Sequence, residues 1–157
     1  MSKPIELNDV VSHTPFVFRR RIGWGDTDAA RIVYTVRFFE FGMAAIEAWF
    51  REIWGMDWYA MHVERGEGSP FVHVEMDIAA PLVPGDLLDC TVRVEKLGTA
   101  SLGFHVEGRR RDETLCFTAR FVSVVVKMDP MRSAEIPADK RRLVQDYMAA
   151  APVPATS

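Results

Sequence analysis

Between Arg37 and Trp54 the apolar residues Phe38, Phe41, Ala44, Ala45, Ala48, Trp49 and Ile53 recur at three- and four-residue steps, the period of an α-helix. Phe39, Met43, Ile46 and Phe50 widen that stripe until it covers most of the circumference. A helix this apolar has to be buried on several sides rather than lie on a surface. Gly55 offers its C-terminal stop. The rest of the chain must therefore supply a broad apolar face to enclose it.

That face follows directly. After Pro70 the period falls to two, with Val72, Val74, Met76 and Ile78 alternating with His73, Glu75 and Asp77. Pro84-Gly85-Asp86 is a turn, and Leu88, Cys90, Val92 and Val94 alternate with Asp89, Thr91, Arg93 and Glu95. Gly98 to Ala100 opens another turn, before Leu102, Phe104 and Val106 mark a third strand. Arg111-Asp112-Glu113 is a hairpin tip, and Leu115 to Val126 is a fourth strand, so apolar throughout that it reads as central or covered on both faces. A shorter strand, Phe16 to Ile22, precedes the helix, and a terminal helix runs from Pro137 to about Met148. The reading is α+β, with an antiparallel sheet of about five strands wrapped around one long helix. One helix cannot cover both faces of such a sheet, which predicts another subunit on the second face, in a homodimer or homotetramer. The whole chain, residues 1–157, reads as one domain with its core at about 14–148. The Ala149 to Ser157 tail, and the first dozen residues, are expected to be frayed or disordered.

Composition closes off several functions. Nineteen Lys and Arg against 22 Asp and Glu leave a formal charge of -3, which argues against nucleic acid or an anionic membrane as partner. No apolar run is long enough to span a bilayer, and Lys3, Glu6 and Asp9 break any secretory signal. Cys90 and Cys116 lack metal-type spacing and sit in apolar stretches, so free buried thiols in a reducing cytoplasm are expected. His13, His62, His73 and His105 show no HxxxH or HxH pattern, and no metal or cofactor is expected. There is no Gly-x-Ser-x-Gly elbow and no Walker loop. His73, Glu75 and Asp77 share a strand face that reads as a subunit contact.

The least ordinary segment is Trp24-Gly-Asp-Thr-Asp-Ala-Ala-Arg-Ile-Val-Tyr34, between the first strand and the apolar helix. Taken by itself it allows two readings. In one, one of Asp26 and Asp28 caps a turn and the other is solvated. In the other, a carboxylate is held in an apolar setting at a helix N-terminus, where unpaired N–H groups can polarise a carbonyl.

Gly25-Asp26-Thr27-Asp28-Ala29-Ala30-Arg31-Ile32-Val33-Tyr34, with Phe38-Phe39-Glu40 after it, resembles the 4-hydroxybenzoyl-CoA thioesterase family of the hotdog fold. Gly68-Ser69-Pro70, Pro84-Gly85-Asp86-Leu87-Leu88 and Ile136-Pro137 match further pieces in order, over roughly residues 16 to 143. The resemblance implies an acyl-CoA thioesterase acting on an aromatic acyl-CoA such as a (hydroxy)benzoyl-CoA, with coenzyme A as part of the substrate. It implies that Asp28 is catalytic, as nucleophile or general base, and that the backbone N–H of Thr35 is the oxyanion donor. Asp26 is then a structural partner of the turn. Tyr34, Ser69, Ser101, Arg109 and Arg110 are the expected substrate- and CoA-binding residues.

Two departures stand out. Arg31 occupies a position where the family pattern has Gly, and Gly98-Thr99-Ala100-Ser101 lacks the basic residues that some relatives use for CoA phosphates. Glu47 on the central helix is the internal rival of Asp28, and Glu40 lies on the same helical face. Trp54 to Met61 lies where an acyl end could be enclosed. An acyl-thioester hydratase or dehydratase and a non-catalytic acyl-CoA-binding protein are the alternative functions; no histidine falls in the motif to favour the first.

Overall fold

The structure, a computed structural model, describes residues 8–155. Among these residues nine strands and three α-helices follow in chain order: β1 (Asn8–His13), β2 (Phe16–Arg21), α1 (Thr35–Trp49), α2 (Trp58–Arg65), β3 (Glu67–Gly68), β4 (Phe71–Ile78), β5 (Leu87–Leu97), β6 (Ser101–Arg110), β7 (Leu115–Val124), β8 (Val126–Lys127), β9 (Arg132–Ser133) and α3 (Ala138–Ala150). Six strands form one antiparallel sheet in the order β1-β2-β5-β6-β7-β4, and β3, β8 and β9 form a small ribbon beside it. The sheet curls around α1. No helix among the described residues is long and apolar enough to cross a membrane.

The core is the contact between α1 and the concave face. Phe41, Ala45, Ile46 and Trp49 on the helix meet Phe104, Phe117 and Phe121 on the strands, all buried. Gly42 explains how closely the layers approach, since a Cβ there would lie 2.7 Å from the Phe121 ring. Past Trp49 the helix widens into a π-helical turn, Phe50–Trp54, and stops at Gly55 with φ of 88°. Trp49 and Phe50 pack edge-to-face there. α3 closes this end, where the Tyr147 hydroxyl accepts from the Phe16 N–H at 2.9 Å and donates to the Val92 carbonyl.

Several expectations need correction. Residues 8–12, read as frayed, belong to β1, an edge strand that pairs Val10 with Phe18. It brings the sheet to six strands; residues 1–7 lie outside the described residues. The tail does not fray at Ala149, because α3 runs to Ala150 and Ala151 is buried behind it. α2 was not anticipated, although Asp57 caps it by accepting from the Ala60 N–H at 2.8 Å.

The convex face is not apolar, so the stated reason for covering it with a subunit falls. Arg19 pairs with Asp89 at 2.7 Å, and Arg120 pairs with Glu95 at 2.6 Å and Glu75 at 3.5 Å. β7 is inner in the sheet order, as expected, yet the exposed Arg120 leaves its convex face open. His73, Glu75 and Asp77 are all exposed on β4.

Cys90 and Cys116 are free and buried. Burial pushes the Cys90 thiol up to about 12.

Candidate active site

The segment between β2 and α1 is a folded loop with its own hydrogen bonds. A 3₁₀ turn, Trp24–Asp26, starts it, and an antiparallel bridge joins Thr27 to Val33. The Val33 N–H donates to the Leu82 carbonyl at 2.9 Å, which ties the loop to the segment before β5.

Asp26 is the anchor. It is 6% exposed, and Oδ2 accepts from the Gly23 N–H at 2.9 Å. Its Oδ1 faces Arg20 at 3.3 Å and Arg37 at 3.6 Å. Its carbonyl accepts from the Tyr34 N–H at 3.3 Å, just where α1 begins. Every polar group of Asp26 is thus engaged in holding the loop against the helix. Sequence reading placed Asp26 in the turn but missed its two guanidinium partners. The alternation of Arg19, Arg20 and Arg21 was a usable signal, since it sends Arg20 to the opposite face from Arg19.

Asp28 differs in every respect. It is exposed, and Oδ1 accepts from the Ala30 N–H at 2.9 Å in a tight turn. That bond orients the carboxylate and leaves Oδ2 without a partner among the described residues. The Asp28 carbonyl accepts from the Arg31 N–H at 2.9 Å. Arg31 has φ of 63°, the left-handed conformation in which glycine is favoured. A side chain there costs roughly 1 kcal/mol or more.

α1 starts at Thr35 with no side-chain cap from Tyr34. A helix leaves its first N–H groups without intrahelical partners, so those of Thr35 and Val36 are open to an incoming oxygen. The helix dipole adds partial positive charge at the same point. Tyr34 is half-buried beneath the Arg37 guanidinium, 5.5 Å from the ring centre. A carboxylate with a free oxygen and an uncapped helix N-terminus therefore share one loop.

The other expected residues divide along β6. Arg110 donates to the Pro81 carbonyl at 3.2 Å, next to the Leu82 carbonyl that holds Val33, so it belongs to the Asp28 end of the sheet. It lines a 570 Å³ cleft with Gly85, Asp86, Leu87, Arg111 and Asp112. Arg109 is also at this end but is held by the Glu113 carbonyl at 3.1 Å and Glu107 at 3.4 Å.

Ser101 starts β6, about 30 Å away along an extended strand. Ser69 lies near Ser101 but is buried, with its hydroxyl donating to Ser123 at 3.0 Å. Glu47 is near the far end of α1, about 18 Å along the axis from Thr35, so within one chain it and Asp28 do not face one reacting atom. Glu40 is paired with Arg37. Trp54 and Met61 are core residues, while Tyr59 is exposed on α2.

A profile of the thioesterase-like superfamily matches residues 22–148. No curated protein gives a significant sequence match. Among solved structures, a thioesterase-superfamily protein from Jannaschia sp. CCS1 aligns with a TM-score of 0.81 at 34% identity, over 90% of this chain and 96% of the other. A 1,4-dihydroxy-2-naphthoyl-CoA thioesterase from Synechocystis gives 0.77 at 21% identity, over 83% and 96%. A 4-hydroxybenzoyl-CoA thioesterase from Pseudomonas sp. strain CBS-3 gives 0.74 at 25% identity, over 81% and 96%. With a family match across most of its length and the α1-in-sheet architecture that goes with it, the chain belongs to the hotdog-fold thioesterase-like superfamily.

Proposed function

We propose that this thioester hydrolase cleaves an aromatic acyl-CoA to the free acid and CoA, with Asp28 as the reacting carboxylate. The observation that carries the proposal is the loop joining Asp28 to Thr35, which offers a free carboxylate oxygen and uncapped helix N–H groups together. The aromatic acyl group is supported by the aryl-CoA substrates named for two of the structural relatives, and by Trp24 and Tyr34 flanking the motif.

The thioester carbonyl oxygen sits against the Thr35 and Val36 N–H groups, which stabilise the negative charge that develops on it. One such donor typically contributes about 10²–10³ in rate. In the nucleophilic route Asp28 Oδ2 adds to the carbonyl carbon and the CoA thiolate departs, leaving a mixed anhydride that water hydrolyses. In the general-base route Asp28 takes a proton from water, the hydroxide adds, and the thiolate departs to be protonated. A thiol pKa of about 8.5 makes either departure easy without a strong general acid.

A second copy completes the site in this reading. Asp28 and Thr35 are exposed in the single chain, whereas the reaction needs a desolvated acyl group. β4 is a free sheet edge carrying Val72 at 63% exposure and Ile78 at 44%. Antiparallel pairing of two β4 edges would set the Asp28 end of one sheet beside the Ser101 end of the other.

The test is thiol release from a panel of aryl- and alkyl-CoA thioesters by wild type, Asp28→Asn and Glu47→Gln. Asp28→Asn should lower kcat by about 10²–10⁴ with KM little changed, while Glu47→Gln stays active. Retention of more than about a tenth of kcat by Asp28→Asn would refute the assignment.

A further inference from the structure

We propose that the Arg31 guanidinium binds an oxyanion of the acyl-CoA, either a CoA phosphate or a carboxylate on the acyl group, and so sets substrate affinity at the Asp28 site. The inference rests on the thioesterase reading of that loop and names a binding residue it did not include.

The first ground is conformational. Arg31 sits at φ of 63°, where a Cβ is penalised and glycine is not. Glycine would relieve the backbone, so the fold by itself gives no reason for a long side chain here. Strained residues that the surroundings maintain tend to be those with a task.

The second ground is that Arg31 is not used structurally. Arg20 and Arg37 are committed to Asp26. Arg109 and Arg110 are committed to their hairpin and to the Pro81 carbonyl. Arg31 is exposed, and among the described residues its guanidinium has no hydrogen-bond or ion-pair partner.

Position and chemistry supply the rest. The Arg31 N–H bonds the Asp28 carbonyl at 2.9 Å, closing a four-residue turn. Such a turn keeps its end Cα atoms within about 7 Å, a separation that an arginine side chain is long enough to span. A guanidinium forks onto phosphate or carboxylate oxygens with paired hydrogen bonds. The chain carries a formal charge of -3, so a polyanionic substrate gains from a cation at the site. The Gly98 to Ser101 turn carries no basic side chain to do this instead.

The experiment compares wild type with Arg31→Gln, Arg31→Lys and Arg31→Gly on four thioesters: benzoyl and 4-carboxybenzoyl groups, each on CoA and on N-acetylcysteamine. Arg31→Gln keeps the backbone strain and removes the charge. It should raise KM about tenfold where the recognised anion is present, with kcat within about twofold, and Arg31→Lys should keep part of the affinity. A rise that disappears on N-acetylcysteamine identifies a phosphate, and a rise that follows the 4-carboxyl group on both thiols identifies the acyl carboxylate. Arg31→Gly should show the same KM rise with an unchanged or higher melting temperature, a pairing that a merely structural role would not produce. Arg142→Gln, an exposed change on α3, serves as the charge control.

An unchanged KM on all four thioesters, with wild type active, overturns the Arg31 proposal alone. So does an equal loss on all four with a lower mass in light scattering, which would make Arg31 a subunit contact. A wild type that releases no thiol from any of the wider substrate panel overturns the thioesterase reading and this inference together.

Discussion

Asp26→Asn separates the two carboxylates of the motif. Asn keeps an oxygen for the Gly23 N–H, 2.9 Å away, but removes the charge facing Arg20 at 3.3 Å and Arg37 at 3.6 Å. The Asp26 side chain is 8% exposed and the two arginines are 25% and 31% exposed, so the interactions are only partly screened. Hydrogen bonds to charged groups contribute about 1.5–3 kcal/mol, and with screening the combined loss is about 2–3 kcal/mol. In a chain of this size each kcal/mol moves the melting temperature by about 2–4 °C, so the variant should melt about 5–10 °C lower. Below both melting temperatures kcat should stay within a few-fold of wild type. Thermal denaturation followed by circular dichroism, paired with thiol release at a low temperature, reads both quantities. A variant that melted with wild type but lost about a hundredfold in kcat would show that Asp26 is the reacting group and the structural assignment is inverted.

Two further outcomes test other parts of the structure. The Cys90 thiol is held neutral by burial, with its pKa pushed up to about 12 against an ordinary value of 9.0. The unfolded chain therefore loses this proton first, so the stability contribution is full below about pH 9 and disappears as pH rises through about 12. Cys90→Ala should flatten that alkaline decline in urea titrations, and an unchanged slope would refute the role. Val72→Lys with Ile78→Lys places charge on the free β4 edge without disturbing core residues, so light scattering should give single-chain mass and thiol release should fall. A single-chain species with full kcat would show that the site needs no second copy.

The legible parts of the sequence were those where one chain segment carries its own period. α1 announced itself because Phe38, Phe41, Ala45 and Trp49 repeat within one element, β4 to β6 because each alternates along its own length, and β7 because its apolar run is nearly continuous. β1 was missed because an edge strand is fixed by backbone bonds to β2, and Val10 and Val11 are too few to set a period. α2 buries only Met61 fully, which leaves its apolar pattern weak. The polar convex face was misjudged for a different reason. Its charges neutralise one another across strands, Arg19 with Asp89 and Arg120 with Glu95, at separations along the chain that no local window contains.

The loop between β2 and α1 lies between these cases. Residue types alone left Asp26 and Asp28 interchangeable, and only the family resemblance ranked them. The fold then separates them by environment: one carboxylate is enclosed between two guanidinium groups and the other has a free oxygen at the surface. The position that looked wrong in sequence, Arg31 in place of Gly, proves to be a real left-handed residue. The backbone there follows the demand of the motif while the side chain departs from it. Consistency between local preference and global fold is the normal condition of a stable sequence, and exceptions concentrate where function has a stake. An exception three residues from the proposed reacting carboxylate, with an uncommitted charge at its end, is therefore better explained by what it binds than by how it folds.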